Sequence, residues 1–230
     1  MIFETFKKRK HVREFDTDVC PPRDLIDKIL KQTLDCTPSK QNFMPYNIFV
    51  FGPDEQLYKD EFHRLATYNE HELVDIKNPL KSYKPPNPEY NCLLTAPYVL
   101  LFCKRWEDKP NKWQQEQWDK GKYLEAMSRE YMSEHYNLVD QISLEIGLLV
   151  SILTGFCMEN NLDVSYTSCF ARQPEHWKHF PFIIEDNFFK TPIVLVSIGK
   201  SKKYRIEGYN QEELNDQHKP DFERIIKYAE

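Results

Sequence analysis

Apolar residues recur along this chain in two rhythms. Leu25, Ile26, Ile29, Leu30 and Leu34 repeat at the three-and-four spacing of a helix face. Pro21-Pro22 heads that run, where proline is favoured, and Pro38 stops it near Cys36. Ile2, Phe3 and Phe6 make a shorter helical stripe, and a further helix is expected over 54–67. The second rhythm is the unbroken apolar run. Residues 47–51 (NIFVF), 98–103 (YVLLFC) and 192–198 (PIVLVSI) read as strands, the last two covered on both faces. Residues 163–168 read as a shorter strand, and 174–180 as a helical turn. From about 138 to 160 the chain is apolar almost all round, which predicts a central helix. Its most apolar part, 146–158, is too short to span a bilayer, so it is expected to be buried in protein.

Polar stretches separate these elements. Residues 69–91 form a Pro-rich loop, 104–136 a helical insertion with Trp106, Trp113 and Trp118, and 207–230 a polar extension. No repeat and no domain boundary is visible, so 1–230 is expected to be a single domain. Strands separated by helices predict an α+β (α/β layered) architecture.

Composition removes several function classes. The chain holds 6 glycines in 230 residues, where average usage would give about 16. Neither G-x-x-x-x-G-K-[ST] nor G-x-G-x-x-G occurs, which excludes a P-loop and the usual dinucleotide fingerprint. A net charge of −5 argues against nucleic acid as partner. Six scattered cysteines without C-x-x-C, and no apolar leader, predict a reduced, cytoplasmic protein that is not membrane-bound. His176 and His179 lack a third ligand, so no metal is expected. No nucleophile elbow or catalytic acid–base pair stands out.

The positive charge is concentrated. Lys7 to Arg13 (KKRKHVR) and Lys200 to Arg205 (KSKKYR) lie near opposite ends of an acidic chain. They can converge on one anion such as a phosphate, although charge alone favours two independent solvated patches.

The surrounding order of segments resembles the FMN-dependent nitroreductase family. Arg9-Lys10-His11-Val12-Arg13-Glu14-Phe15 is similar to its opening R-x-S-x-[RK]-x-F. Thr37-Pro38-Ser39-Lys40-Gln41-Asn42-Phe43-Met44-Pro45-Tyr46 resembles its P-S-x-x-N-x-Q-P-W segment, which leads into a strand. Residues 96–103, 138–160, 162–170 and 192–199 follow its later strands and central helix, and Lys203-Tyr204-Arg205 its closing basic pair.

The resemblance implies a nitroreductase-like fold: a central, mostly antiparallel sheet flanked by helices, with a long dimer helix. It implies FMN as cofactor and NAD(P)H as electron donor. Hydride would pass by a ping-pong route through flavin N5 to a nitroaromatic, quinone or similar small electron-poor acceptor. By the same resemblance Arg9, His11 and Arg13 meet the phosphate or ribityl chain, joined by Lys203 and Arg205, with Lys200 and Lys202 as alternatives. His11 stands where the family has Ser. Pro38, Ser39, Lys40 and Asn42 would reach a flavin across a homodimer interface, and Thr167 and Ser168 would lie beside N5 and O4. An Asn ahead of the second strand is also implied, with Asn87, Glu89 and Asn91 left open. Ile142, Ile146, Leu149 and Leu153 would supply the dimer core. Other outcomes of the same fold are flavin cleavage, dehalogenation, azoline oxidation, or binding without catalysis. Where relatives use Gly, Asn160-Asn161 would end the central helix in a left-handed turn.

Overall fold

The unbroken apolar runs become neighbours in one sheet. In this computed structural model, which describes residues 12–39, 44–67, 91–105, 112–121, 139–185 and 188–204, the chain opens with β1 (Val12–Phe15). Then come α1 (Arg23–Cys36), β2 (Tyr46–Phe51) and α2 (Gln56–Thr67). A short helix α3 (Asn91–Thr95) precedes β3 (Tyr98–Lys104) and α4 (Lys112–Asp119). The long α5 (Val139–Glu159) turns into β4 (Asp163–Thr167), and the one-turn α6 (Pro174–Trp177) follows. A small hairpin, β5 (Ile184–Glu185) with β6 (Phe188–Phe189), leads to β7 (Pro192–Gly199) and β8 (Ser201–Tyr204).

The main sheet has the order β2-β3-β7-β4, and every neighbouring pair is antiparallel. All seven residues of β3 are buried, as its unbroken apolar run predicts. Its side chains alternate between two cores. Tyr98, Leu100 and Phe102 face α1 and α5; Val99, Leu101 and Cys103 face α2, α3 and the segment after β4. The second core is strongly aromatic. Phe62 stacks on Phe180 at 5.4 Å between centroids, and Trp177 lies 5.0 Å from Phe180. Each such ring contributes about 1.5–3 kcal/mol by leaving water, so this cluster fixes the segment 170–183 against α2.

The helix α5 differs from expectation in two ways. It is 21 residues long, and Ile142–Glu159 is long and apolar enough to cross a membrane by length and composition. Its apolar character has a second source here, because Ile142, Ile146, Leu149 and Leu153 pack onto the sheet of the same chain. Those four residues are at most 2% exposed, so the chain's own core has already taken the side chains expected at a dimer core. Facing outward instead are Leu144, 66% exposed, and Leu148, 43% exposed. The error comes from the all-round apolar pattern, which gives no phase to choose a face.

The end of α5 follows the expectation. Asn161 has φ +58°. Its N–H donates to the Met158 carbonyl at 3.1 Å, and the Leu162 N–H donates to the Cys157 carbonyl at 2.9 Å. This pair of bonds satisfies the last carbonyls of the helix around a left-handed residue. The expected loop 69–91 is helical at its last residue, Asn91. The rest of that loop, the 2–6 stripe, most of the 104–136 insertion and the 207–230 extension lie outside the described residues.

Candidate functional site

The two basic segments meet through a strand pair too short to show a period. β1 pairs antiparallel with β8, with Val12 opposite Tyr204 and Glu14 opposite Lys203. Arg13 therefore lies on the strand directly beside the one that carries Lys203. Asp16 N–H donates to the Lys200 carbonyl at 2.7 Å and extends the pair, while Ser201 Oγ donates to Asp163 at 2.7 Å and ties β8 to β4. The pair also rests on the sheet. Ser165 Oγ in β4 donates to the Val12 carbonyl at 3.0 Å. Gly199 permits this approach, since a Cβ there would stand 2.6 Å from Pro97 Cδ and 2.9 Å from Phe15 Cδ1. No real Cβ makes contacts that close, so one of the six glycines is used where backbone and ring must nearly touch.

Arg13 is half-buried, and its charge acts on Cys92, which Ser165 and Thr167 also approach. Burial raises the pKa of the Cys92 thiol, against the opposing pull of hydrogen bonds from Ser165 and Thr167 and of the Arg13 charge. Thr167 is 5% exposed, so its side chain belongs to that interior cluster. Ser168 is exposed and lines a cleft. The two expected residues thus face different ways, as successive residues at a strand end do.

The cleft, about 480 Å³, lies between α5 and the end of the sheet. Small residues Ser143, Gly147 and Ser151 open it along the helix, above Ile146 and Val150. Tyr166, Ser168 and Arg172 form its other side. Sequence reasoning passed over Arg172. Its one signal was a charge just past the strand expected to meet the cofactor.

The turn after β4 is anchored from several directions. Arg172 Nη2 donates to the carbonyls of Ser168 at 2.5 Å and Ile193 at 3.2 Å. The Ala171 N–H donates to the Leu65 carbonyl at 3.2 Å, and the Trp177 indole donates to the Ala171 carbonyl at 2.8 Å. Backbone groups along this turn are held still by partners on three other elements. β4 itself has a strand partner on one side alone among the described residues, which leaves alternate backbone donors and acceptors on its outer edge.

A second group of expected residues lies at the opposite edge of the same sheet. Pro38 and Ser39 follow α1, beside the start of β2. Ser39 Oγ donates to the Glu145 carboxylate at 2.7 Å and accepts the Met44 N–H at 2.9 Å. Met44 holds φ +49°, and its carbonyl accepts from Tyr46 N–H at 2.7 Å and Arg105 Nε at 2.9 Å. The Tyr46 hydroxyl donates to Met44 Sδ at 2.9 Å. Burial, with the Glu145 charge adding to it and Arg105 opposing, pushes the Tyr46 pKa well above the usual tyrosine range. The Ser39 hydroxyl thus joins its own loop to α5.

The two groups adjoin opposite edges of the main sheet. The β2 and β4 edges are three inter-strand steps apart, which is about 14 Å at ordinary strand spacing. Arg9, His11, Lys40, Asn42 and Arg205 lie outside the described residues, as do Asn87 and Glu89. Lys203 is described as part of β8, by its backbone pairing.

No protein-family model and no curated protein matches this chain. Solved structures do match it in shape. A nitroreductase-like protein from Streptococcus mutans superposes with TM-score 0.63 at 18% identity, over 99% of this chain and 98% of that one. A provisionally designated nitroreductase from Exiguobacterium sibiricum, solved in complex with FMN, gives TM-score 0.65 at 18% identity, over 100% and 97%. A nitroreductase family protein from Streptococcus pneumoniae gives 0.60 at 15% identity over the full length of both chains. The architecture is therefore the nitroreductase fold, and the expected fold class is correct.

Proposed function

We propose that this protein is a homodimeric, FMN-dependent oxidoreductase that uses NAD(P)H to reduce a nitroaromatic, quinone or similar small electron-poor acceptor. The observation that carries the reading is the β1–β8 pair beside the end of β4. It sets Arg13 next to a strand bearing Lys203, beside the strand β4 that leads into the anchored turn 168–172.

The donor set suits FMN. A guanidinium fork and an ammonium match a phosphate dianion. The outer edge of β4 and the held turn offer backbone donors and acceptors to the polar rim of a flat heterocycle. Bound FMN would supply the redox chemistry, accepting a hydride at N5 from NAD(P)H and returning the electron pair to the acceptor. The residues of this chain bind, orient and tune it. Arg13 and Lys203 would fix the phosphate, while the backbone of the turn after Thr167 would hold the ring edge.

The wide separation of the Ser39 group from the Arg13 group supports two chains per site. A second copy would bring the loop of residues 38–44 from one chain to the β4 edge of the other. The exposed pair Leu144 and Leu148 on α5 offers the apolar contact for such a copy. All six cysteines are free, which suits a reducing, cytoplasmic setting.

The test is purification and turnover. The expected result is a yellow protein with flavin absorbance near ~450 nm that oxidises NAD(P)H when a quinone or nitroaromatic is added. Arg13→Ala should lose FMN that Lys28→Ala, on the exposed side of α1, retains. A colourless protein that takes up no added FMN would overturn the reading.

A further inference from the structure

Among the described residues lining the cleft of about 480 Å³, Arg172 is the one that carries a charge, and its partners are neutral. Two backbone carbonyls, of Ser168 and Ile193, take hydrogens of Nη2. The guanidinium carbon also lies 4.7 Å from the centroid of the Phe170 ring. These partners fix the position and plane of the guanidinium without supplying a counter-charge. No described carboxylate forms an ion pair with it. The described lining supplies hydroxyls from Ser143, Ser151, Tyr166 and Ser168 and contains no acid.

A guanidinium cannot shed its proton to escape such a setting. A neutral ligand filling the cleft would strip water from the cation and give nothing back. An oxyanion would instead meet the remaining N–H donors of a fork already held in place, with little ordering cost. We propose that the cleft selects acceptors bearing a carboxylate, or another oxyanion of similar size, on the ring to be reduced, and that Arg172 reads that group. This rests on the flavin reading above and names the substrate class for it. For a nitro acceptor the overall step is NAD(P)H, a proton and Ar–NO2 giving NAD(P)+, Ar–NO and water, with the carboxylate unchanged.

The experiment compares 4-nitrobenzoate with 4-nitrobenzamide, which has nearly the same shape without the charge. Wild-type protein is expected to favour the benzoate in kcat/KM. Arg172→Gln should lower that preference at least ~10-fold, through KM, and Arg172→Lys should restore part of it. Raising the salt concentration should erode the preference in wild type. Calorimetry of 4-nitrobenzoate binding to the purified protein gives a readout independent of turnover, with affinity about tenfold weaker in Arg172→Gln. An unchanged preference in Arg172→Gln overturns the proposal. So does an equal loss for both compounds, which would make Arg172 an anchor of the turn alone. If the protein takes up no FMN, the flavin reading fails by itself. Calorimetry then decides: wild-type binding that Arg172→Gln loses sustains an oxyanion site, and no wild-type binding overturns it.

Discussion

The hydroxyl of Ser39 donates to the carboxylate of Glu145, 106 positions further along the chain, at 2.7 Å. The same oxygen accepts the Met44 N–H. One small side chain thus ties the loop after α1 to the central helix and supports the left-handed residue at the far end of that loop. Ser39→Ala removes both bonds and leaves the Met44 N–H without that acceptor. A loss of about 1–2 kcal/mol in urea unfolding is expected. If this loop reaches a flavin in a second chain, Ser39→Ala should also weaken FMN binding in titrations. Glu145→Gln, which can still accept from Ser39, should cost less on both measures.

Gly199 gives a second expectation. Its backbone passes so near Pro97 and Phe15 that a methyl group needs β1 to move. Gly199→Ala should destabilise by about 1–3 kcal/mol, the usual range for overpacking. Because β1 also carries Arg13, FMN affinity should fall with it. Thermal unfolding with and without FMN checks both effects. A stable variant with normal affinity would show that β1 can shift without disturbing Arg13.

The outward face of α5 is the proposed contact between two copies and gives a third expectation. Leu144→Glu and Leu148→Glu place charges where two copies are proposed to meet, and neither residue belongs to the chain's own core. Both substitutions should convert a dimer to a monomer in sedimentation velocity, with little change in far-UV circular dichroism. Ile146→Glu should instead unfold the chain, since Ile146 is 2% exposed and packed on the sheet.

The cysteines predict a reactivity pattern and a pH trend. Cys20, Cys36 and Cys169 are exposed, while Cys92, Cys103 and Cys157 are buried. A thiol reagent should modify the first three in the folded protein and reach the others after unfolding. Burial pushes the Cys157 thiol from 9.0 up to about 12, with the Asp163 charge adding to it. A group whose folded pKa is raised favours folding fully below its unfolded value and loses that contribution as pH climbs through the folded one. Stability from Cys157 should therefore fall between about pH 9 and 12. Urea unfolding of wild type and Cys157→Ala at pH 8 and pH 11 tests this, and the gap between them should narrow at the higher pH.

The layered fold was legible because its signals are strong and local. The apolar runs at 98–103 and 192–198 became β3 and β7, and the stripe from Leu25 to Leu34 became α1. The left-handed Asn161 was legible too, since Asn follows Gly in tolerance for that turn. β1 and β8 were not, because four residues carry no period and their pairing spans most of the chain. The inward face of α5 was misread because an all-round apolar helix hides its own phase. Arg172 was missed because its importance comes from two carbonyls and a ring that only the folded turn assembles.

The pairing of β1 with β8 has a consequence for synthesis. A ribosome releases β1 before, and β8 after, nearly everything else described. The helices and the sheet can begin to form before then, since chains fold progressively from the N-terminal side. The partner strand of Arg13 cannot, so a nascent chain stalled before residue 201 would be folded in large part yet lack its cationic cradle. On the flavin reading, cofactor capture would then wait for β8, and a chain cut before that strand would be recognisable by its failure to acquire colour.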